Sequence, residues 1–223
     1  MDNVNASISV IERRSFDRLI NFTDAVVAIA ITLQLLPLVD IKIEKGESAL
    51  ALFADNSSQI IAFCFSFVVL SVLWLKHNQV FNAMRTFDPV IFWLNTAWMA
   101  LIVFLPLPTS LYGTLNDNQT VNSHGIGLLY WWTLAAISGI GWLVARHAWR
   151  KPELLEESVV VDRKDKSGFR NHRGASFFTA FLLIGIAAEF MPQWVPYLGL
   201  CIIPMDLILR RQKRQSIASK SSL

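Results

Sequence analysis

An ionisable side chain inside an apolar run is the first place to look for chemistry, and Asp24, alone in the run 19–39, is such a residue. A carboxyl at that depth is expensive and faces protein or water rather than lipid. It suits two roles: a cation or proton site, or a hydrogen-bond acceptor that pins one helix to its neighbours. Other chemistry is sparse. The four histidines, His77, His124, His147 and His172, fall in different segments, and none shares the i, i+4 spacing of a helical metal site. Neither H-E-x-x-H nor G-x-S-x-G occurs, nor either Gly-rich phosphate loop, so no enzyme, resident metal or cofactor is expected. T-V-G-Y-G, the usual carbonyl-lined potassium filter, is missing as well. Cys64 and Cys201 both lie in apolar runs and read as small packing residues, not a disulfide framework.

The elements that carry these residues follow from where charge is missing. The chain has 223 residues, 53% apolar and 17% charged, with a mean hydropathy of +0.43. Stretches 56–75, 89–116, 118–145 and 190–205 hold no Asp, Glu, Lys or Arg; 174–188 is also free of charge, and 19–39 has only Asp24. Crossing the hydrocarbon core takes about 20 apolar residues in a helix. The pattern excludes a soluble globular enzyme, a disordered chain and a disulfide scaffold. It predicts an all-α polytopic membrane protein with six helices: 19–39, 58–75, 89–107, 126–145, 175–188 and 194–209. The last two are short, and Pro192, Pro196 and Pro204 interrupt them, so a hairpin of two spans and a re-entrant segment both fit. A cytoplasmic arm, 1–18, and a basic tail, 210–223, flank the membrane domain.

Orientation comes from the basic residues. The arm, the 2–3 loop (Lys76, Arg85), the 4–5 loop (from Arg146 to Arg173) and the tail hold 18 of the 20, and only Lys42 and Lys45 fall on the other side. The positive-inside rule places both termini in the cytoplasm of a multi-pass cell-membrane (inner-membrane) protein, and an odd number of spans would spoil the split. The net charge of +3 is therefore a topology signal, with the lipid bilayer as partner and no nucleic acid. No cleavable signal peptide is expected, since the first 18 residues are polar.

On a helical wheel, Ala25, Ile29, Thr32, Leu33 and Leu36 form one stripe within about 60° of Ile29, apolar except for the Thr32 hydroxyl. Asp24 and Gln34 each stand about 140° away from Ile29. The Asp24 side is expected to be buried against other helices. Wheel geometry alone assigns the stripe to lipid or ordinary helix packing.

Arg18-x-x-x-Phe22-Thr23-Asp24, running into Ala-Val-Val-Ala-Ile-Ala-Ile-Thr-Leu, resembles the R-x-x-x-F-S-D signature of the transmembrane protein 175 family of potassium channels. Trp74-x-x-His77-x-x-x-Phe81 at the end of helix 2 is similar to that family's pattern. So are Leu94-Asn95 and Phe104-Leu-Pro106-Leu-Pro108-Thr109 in helix 3. The likeness is close over helices 1–3 and extends to helices 4–6 only in layout. It implies a prokaryotic-type chain with one six-helix unit, assembling as a homotetramer whose four copies of helix 1 line the pore. By motif position it implies a constriction at Ile29, further layers at Leu33 and Leu36, and a nearby Thr32. These positions coincide with the stripe on the wheel. Thr23 stands where the family usually has serine, and Gln34 where it usually has an aliphatic residue.

The resemblance thus implies a potassium-permeable cation channel with an aliphatic ring as its filter and potassium as permeant ion. Arg18, Phe22, Thr23, Asp24, Trp74, His77 and Asn95 are expected to form a motif and helix-packing network. His77, with an ordinary pKa of about 6.5, is also a candidate pH-sensitive gate. The alternative is a secondary transporter that couples cation or proton movement through Asp24.

Overall fold

The structure, a computed structural model, describes residues 2–42, 46, 48–114, 125–160 and 172–190. The proposed helix 6 (194–209), the tail (210–223), His124, Cys201 and the basic residues Arg163, Lys164, Lys166 and Arg170 lie outside the described residues. The described residues are helical apart from connections and one isolated antiparallel bridge, Met84 to Leu155.

Helix α1 runs Asp2–Leu33, so the arm continues directly into the first apolar run. It stops where Leu35 N–H turns back to the Thr32 carbonyl at 3.1 Å, and a short α2, Leu36–Val39, follows with Pro37 in its first turn. A short helix unforeseen in the sequence, α3 (Ala49–Asp55), is capped by the Ser48 hydroxyl, which accepts from Ala51 N–H. Next come α4 (Ser57–Phe81), α5 (Pro89–Phe104) and α6 (Pro106–Gly113). Pro106 has no N–H to continue the ladder, so α5 and α6 are two segments of one apolar span. Helix α7 runs Ile126–Arg150 and starts at Gly125, whose φ of 84° suits a residue without Cβ. Pro152 opens a 3-10 turn, Pro152–Leu154, and α8 runs His172–Phe190.

Four helical stretches are long and apolar enough to cross a membrane: Arg13–Val39, Ser57–Phe81, Pro89–Gly113 and Ile126–Arg150. Ser176–Ala188, in α8, is apolar but shorter. The described residues therefore supply four full candidate spans where the sequence predicts six.

Helix α7 is the organising element, packed against α5, α6 and α8, and more lightly against α4. Its contact with α8 is close. A Cβ added to Gly185 would come within 2.6 Å of the Trp132 ring, so only glycine permits this approach. The central core joins Val27, Leu70, Trp98, Ile102, Tyr130, Trp131, Leu134 and Phe181. A polar chain crosses it: Thr109 Oγ1, which donates to the Leu105 carbonyl at 2.9 Å, lies 3.2 Å from Ser66 Oγ, and Ser66 Oγ lies 2.7 Å from Tyr130 Oη. A second cluster, Phe16, Phe81, Met84, Ile91, Val144, Leu154 and Leu155, closes the end where α4 and α7 finish.

At that end the α4–α5 turn is clasped to the segment after α7. Arg85 N–H bonds the Leu154 carbonyl, Glu156 N–H bonds the Ala83 carbonyl, and Arg85 Nε donates to the Glu153 carbonyl. Asp88 is the hub. Its Oδ1 caps α5 at Ile91 N–H, while its Oδ2 accepts from His147 Nε2 and Lys151 Nζ, both at 2.8 Å. Burial pushes the Asp88 carboxyl up, but the bonds from Lys151, His147 and Ile91 outweigh it and hold it well below the ordinary carboxylate range. The bond to Asp88 in turn holds the Lys151 ammonium above its usual range. Since the folded pKa of Asp88 is depressed, its stabilisation is complete above the ordinary carboxylate pKa and fades only as pH falls through the lower folded value. Asp88→Asn keeps an oxygen for the cap but removes the charge. It is expected to destabilise the detergent-solubilised protein by about 1–3 kcal/mol at pH 7, read as a lower unfolding temperature. That difference is expected to shrink only in strong acid.

Candidate pore face and its hydrogen-bonded support

Helix α1 has two faces with opposite fates. Phe16, Thr23, Val27, Ala30 and Gln34, spaced by seven, four, three and four residues, are all buried. Phe22, Ala25, Ile29, Thr32 and Leu36 are exposed, with Ile29 at 60% and Leu36 at 57%. Leu33 sits between the two faces and is half-buried. A long helix that buries one stripe and leaves a second apolar stripe uncovered presents a contact surface.

The buried side is held by two hydrogen bonds to different helices. Thr23 Oγ1 donates to the Leu19 carbonyl at 2.9 Å and accepts from Asn95 Nδ2 of α5 at 2.8 Å. Because the hydroxyl proton is committed to Leu19, the Asn95 amide must present its nitrogen here. At the next residue, Trp74 Nε1 of α4 donates to Asp24 Oδ1 at 2.8 Å. Asp24 therefore ties α1 to α4, and Thr23 ties it to α5. Phe16 adds ring stacking on Phe81 and Phe87, with centroids 5.9 Å away in each case.

His77 is close by but takes no direct part in those bonds. Its ring is buried and stacked between Phe81, at 4.3 Å, and Trp98, at 3.9 Å. The Asn95 amide is the side-chain hydrogen-bonding neighbour of His77, although His77 Nε2 and Asn95 Oδ1 do not reach full hydrogen-bond geometry. Such packing fits a structural role for the imidazole better than a gate exposed to water.

Two residues placed in the network from sequence stand elsewhere. Arg18 and Phe22 are exposed, Phe22 at 60%, on the side of α1 that carries Ile29. They face away from α4 and α5 because 18, 22, 25 and 29 share one helical stripe. Thr32 also differs from a freely rotating hydroxyl: its Oγ1 donates to the Ile29 carbonyl at 2.7 Å, so only oxygen lone pairs remain to face outward. Gln34 is 1% exposed, and neither of its amide atoms has a partner among the described residues. From sequence, the wheel position of Gln34 predicts an inter-helix or inter-subunit hydrogen bond, and the described residues of the single chain contain none. The sequence reading also missed the Asp88 hub, whose signal was the Asp-Pro pair that commonly opens a helix. No group of three or more His, Cys, Asp or Glu with metal-binding geometry occurs among the described residues.

Comparison with known proteins places the same region in context. Residues 18–106 match the model of a family described as the endosomal/lysosomal potassium channel TMEM175. A potassium channel of Chryseobacterium sp. (strain P1-3) is 26% identical over 184 residues, covering 82% of this chain and 85% of that one. One of Chamaesiphon minutus is 26% identical over 199 residues, covering 86% and 92%. The endosomal/lysosomal proton channel TMEM175 of Danio rerio is 26% identical over 161 residues, 71% of this chain but 30% of its own length. The chain thus spans less than a third of that vertebrate relative. Among solved structures, the crystal structure of a lysosomal potassium-selective channel TMEM175 homolog from Chamaesiphon minutus superposes with a TM-score of 0.60. Its sequence identity is 22%, and the match covers 88% of this chain and 98% of that one.

Proposed function

We propose that this chain belongs to the TMEM175 family, whose model matches its residues 18–106, and is the subunit of a homotetrameric, potassium-permeable channel in the cell membrane. The observation that carries the reading is the uncovered stripe Ala25–Ile29–Thr32 of α1, continued by the exposed Leu36 at the start of α2, opposite a face locked by Thr23 and Asp24. Four such stripes around one axis make a pore with Ile29 as its narrowest ring and Leu33 and Leu36 as further layers. The positive-inside rule supports six crossings with both termini cytoplasmic, in the inner membrane of a bacterial cell. The family is one of ion channels, so no catalytic step is assigned.

The physics of such a ring differs from that of a carbonyl filter. Isoleucine offers no oxygen to replace an ion's water, so ions pass hydrated or shed part of the shell. Potassium, the larger ion, holds its shell more weakly than sodium, so partial dehydration favours it. Thr32 adds outward lone pairs, because its proton is used within the helix. Four such acceptors one turn from the ring can bind the hydrogens of waters that flank the constriction, which favours cations over anions. An apolar constriction also closes by dewetting.

Unitary ohmic currents from purified protein in a planar bilayer are the test of the channel reading. Saturable flux coupled to a second ion, without unitary steps, would overturn it in favour of the transporter. The part played by Asp24 separates the two further. Asp24→Asn keeps an oxygen for Trp74 but loses the charge, so potassium flux into proteoliposomes is expected to remain within about threefold of wild type. A coupling carboxylate would instead lose transport altogether.

A further inference from the structure

Helix α1 is continuous from Asp2 to Leu33, so the stripe that carries Ile29 extends into the arm. With an advance of about 100° per residue, Arg18 falls about 20° from Ile29 and Arg14 about 60°. Along the axis they lie about 16 Å and about 22 Å from it. Both are exposed, and neither has a hydrogen bond or ion pair among the described residues. Arg13, on the other side of the helix, differs: its Nη2 lies 3.6 Å from Glu156 Oε1. The neighbouring acid, Asp17, stands about 120° from Ile29, on the flank of the stripe. The opposite end carries a different balance. Asp40 is exposed four residues beyond Leu36, and exposed Lys42 follows, so the two charges largely offset each other. The stripe is cationic at one end and nearly neutral at the other.

We propose that Arg18, reinforced by Arg14, sets the direction in which ions pass most easily. This rests on the tetrameric pore proposed above, in which four copies of α1 gather these guanidinium groups into rings around one entrance. The positive-inside rule makes that entrance the cytoplasmic one. The field of the rings lowers the potassium concentration at their own mouth. It does not reach the far mouth, because the Debye length is about 10 Å at 0.1 M salt. Fewer ions then enter from the arginine end at the same bulk concentration, so the current rectifies inward. Salt removes the effect, since at 1 M the screening length is about 3 Å. Selection between ions stays with the Ile29 ring, beyond the reach of the arginines at 0.1 M.

Unitary current–voltage curves of the purified full chain in planar bilayers test this. In symmetric 1 M KCl the wild-type curve is expected to be linear. In symmetric 0.1 M KCl, current carried from the arginine end is expected to be about threefold smaller than the reverse, the factor set by a potential of about one kT. Arg18→Gln is expected to straighten the 0.1 M curve. Arg18→Lys is expected to keep it bent, because charge matters here and the planar guanidinium fork does not. Sidedness is read with Arg18→Cys: an anionic thiol reagent reverses the bend and a cationic one restores it, with the wild type and its Cys64 as control. A linear wild-type curve at 0.1 M, or a bend that survives Arg18→Gln, would overturn the proposal and leave the channel reading intact. Failure of both Arg18→Gln and Arg18→Lys to assemble would also overturn it, by giving the guanidinium a packing role. Absence of unitary current from the wild type overturns the channel reading, and this inference with it.

Discussion

Ile29→Asn is expected to remove the preference for potassium over sodium and to raise conductance. In the proposed tetrameric pore, an asparagine ring would put amide dipoles in place of the aliphatic ring, so the constriction would stay wet and sodium would pass with its shell supported. Each 1.4 kcal/mol taken off the crossing barrier raises flux about tenfold. The expected result is a permeability ratio near one, with sodium current increased about tenfold or more. Bi-ionic reversal potentials in planar bilayers measure the ratio directly. Stability is not the confounder, since Ile29 is 60% exposed in the single chain and packs into none of its cores. A second measurement does not depend on selectivity: an Ile29→Cys channel is expected to be blocked by a water-soluble, charged thiol reagent. Native Cys64 is exposed on α4, so the control is the same treatment of the wild type. An Ile29→Asn channel that kept its ion preference would place the filter elsewhere.

The second large effect falls on folding. Trp74→Phe keeps the ring but deletes the only hydrogen bond described to Asp24 from another helix. The carboxylate then stays in a membrane span without its donor. Removing one partner of a buried charged hydrogen bond costs about 3–5 kcal/mol, against about 1 kcal/mol for an exposed one. Asp24 is half-buried, which sets the expectation at about 2–3 kcal/mol. This is expected as a sharp fall in the unfolding temperature of the detergent-solubilised protein and in the yield of assembled channel. The double variant Trp74→Phe with Asp24→Leu removes both polar partners and is expected to recover most of the loss, because no orphan charge remains. If Trp74→Phe alone melts as the wild type does, Asp24 is satisfied by other groups and does not pin α1.

Much of the fold was readable because membrane insertion imposes a simple rule on composition. Apolar runs without charge must be helical, so 58–75, 89–107 and 126–145 stand out in the sequence, and each lies within a longer helical stretch, Ser57–Phe81, Pro89–Gly113 and Ile126–Arg150. The site was readable in part. The wheel separated Asp24 from Ile29, since the angle between two positions on a helix is independent of what surrounds it. It did not reveal which helix each polar group bonds, because Trp74 and Asn95 lie 50 and 72 residues from their partners. The same wheel sets Phe22 about 20° from Ile29, on the stripe that is exposed, so it was the motif grouping with Asp24 that misplaced it in the network.

What the sequence determined by itself is thus periodic and local: the helical class, the apolar runs and the two faces of α1. Hydrophobic patterning and the fixed rotation per residue act within one segment, so one dimension suffices to read them. The tertiary structure decided the pairings. It joined Asp24 to α4 and Thr23 to α5, and gathered Asp88, His147 and Lys151 into one clasp. It also buried the Gln34 amide with no partner among the described residues and left a cavity between α4 and α7. Each of these depends on how helices are set beside one another. That arrangement is fixed by close packing between distant segments such as Gly185 against Trp132, and by no local property of either.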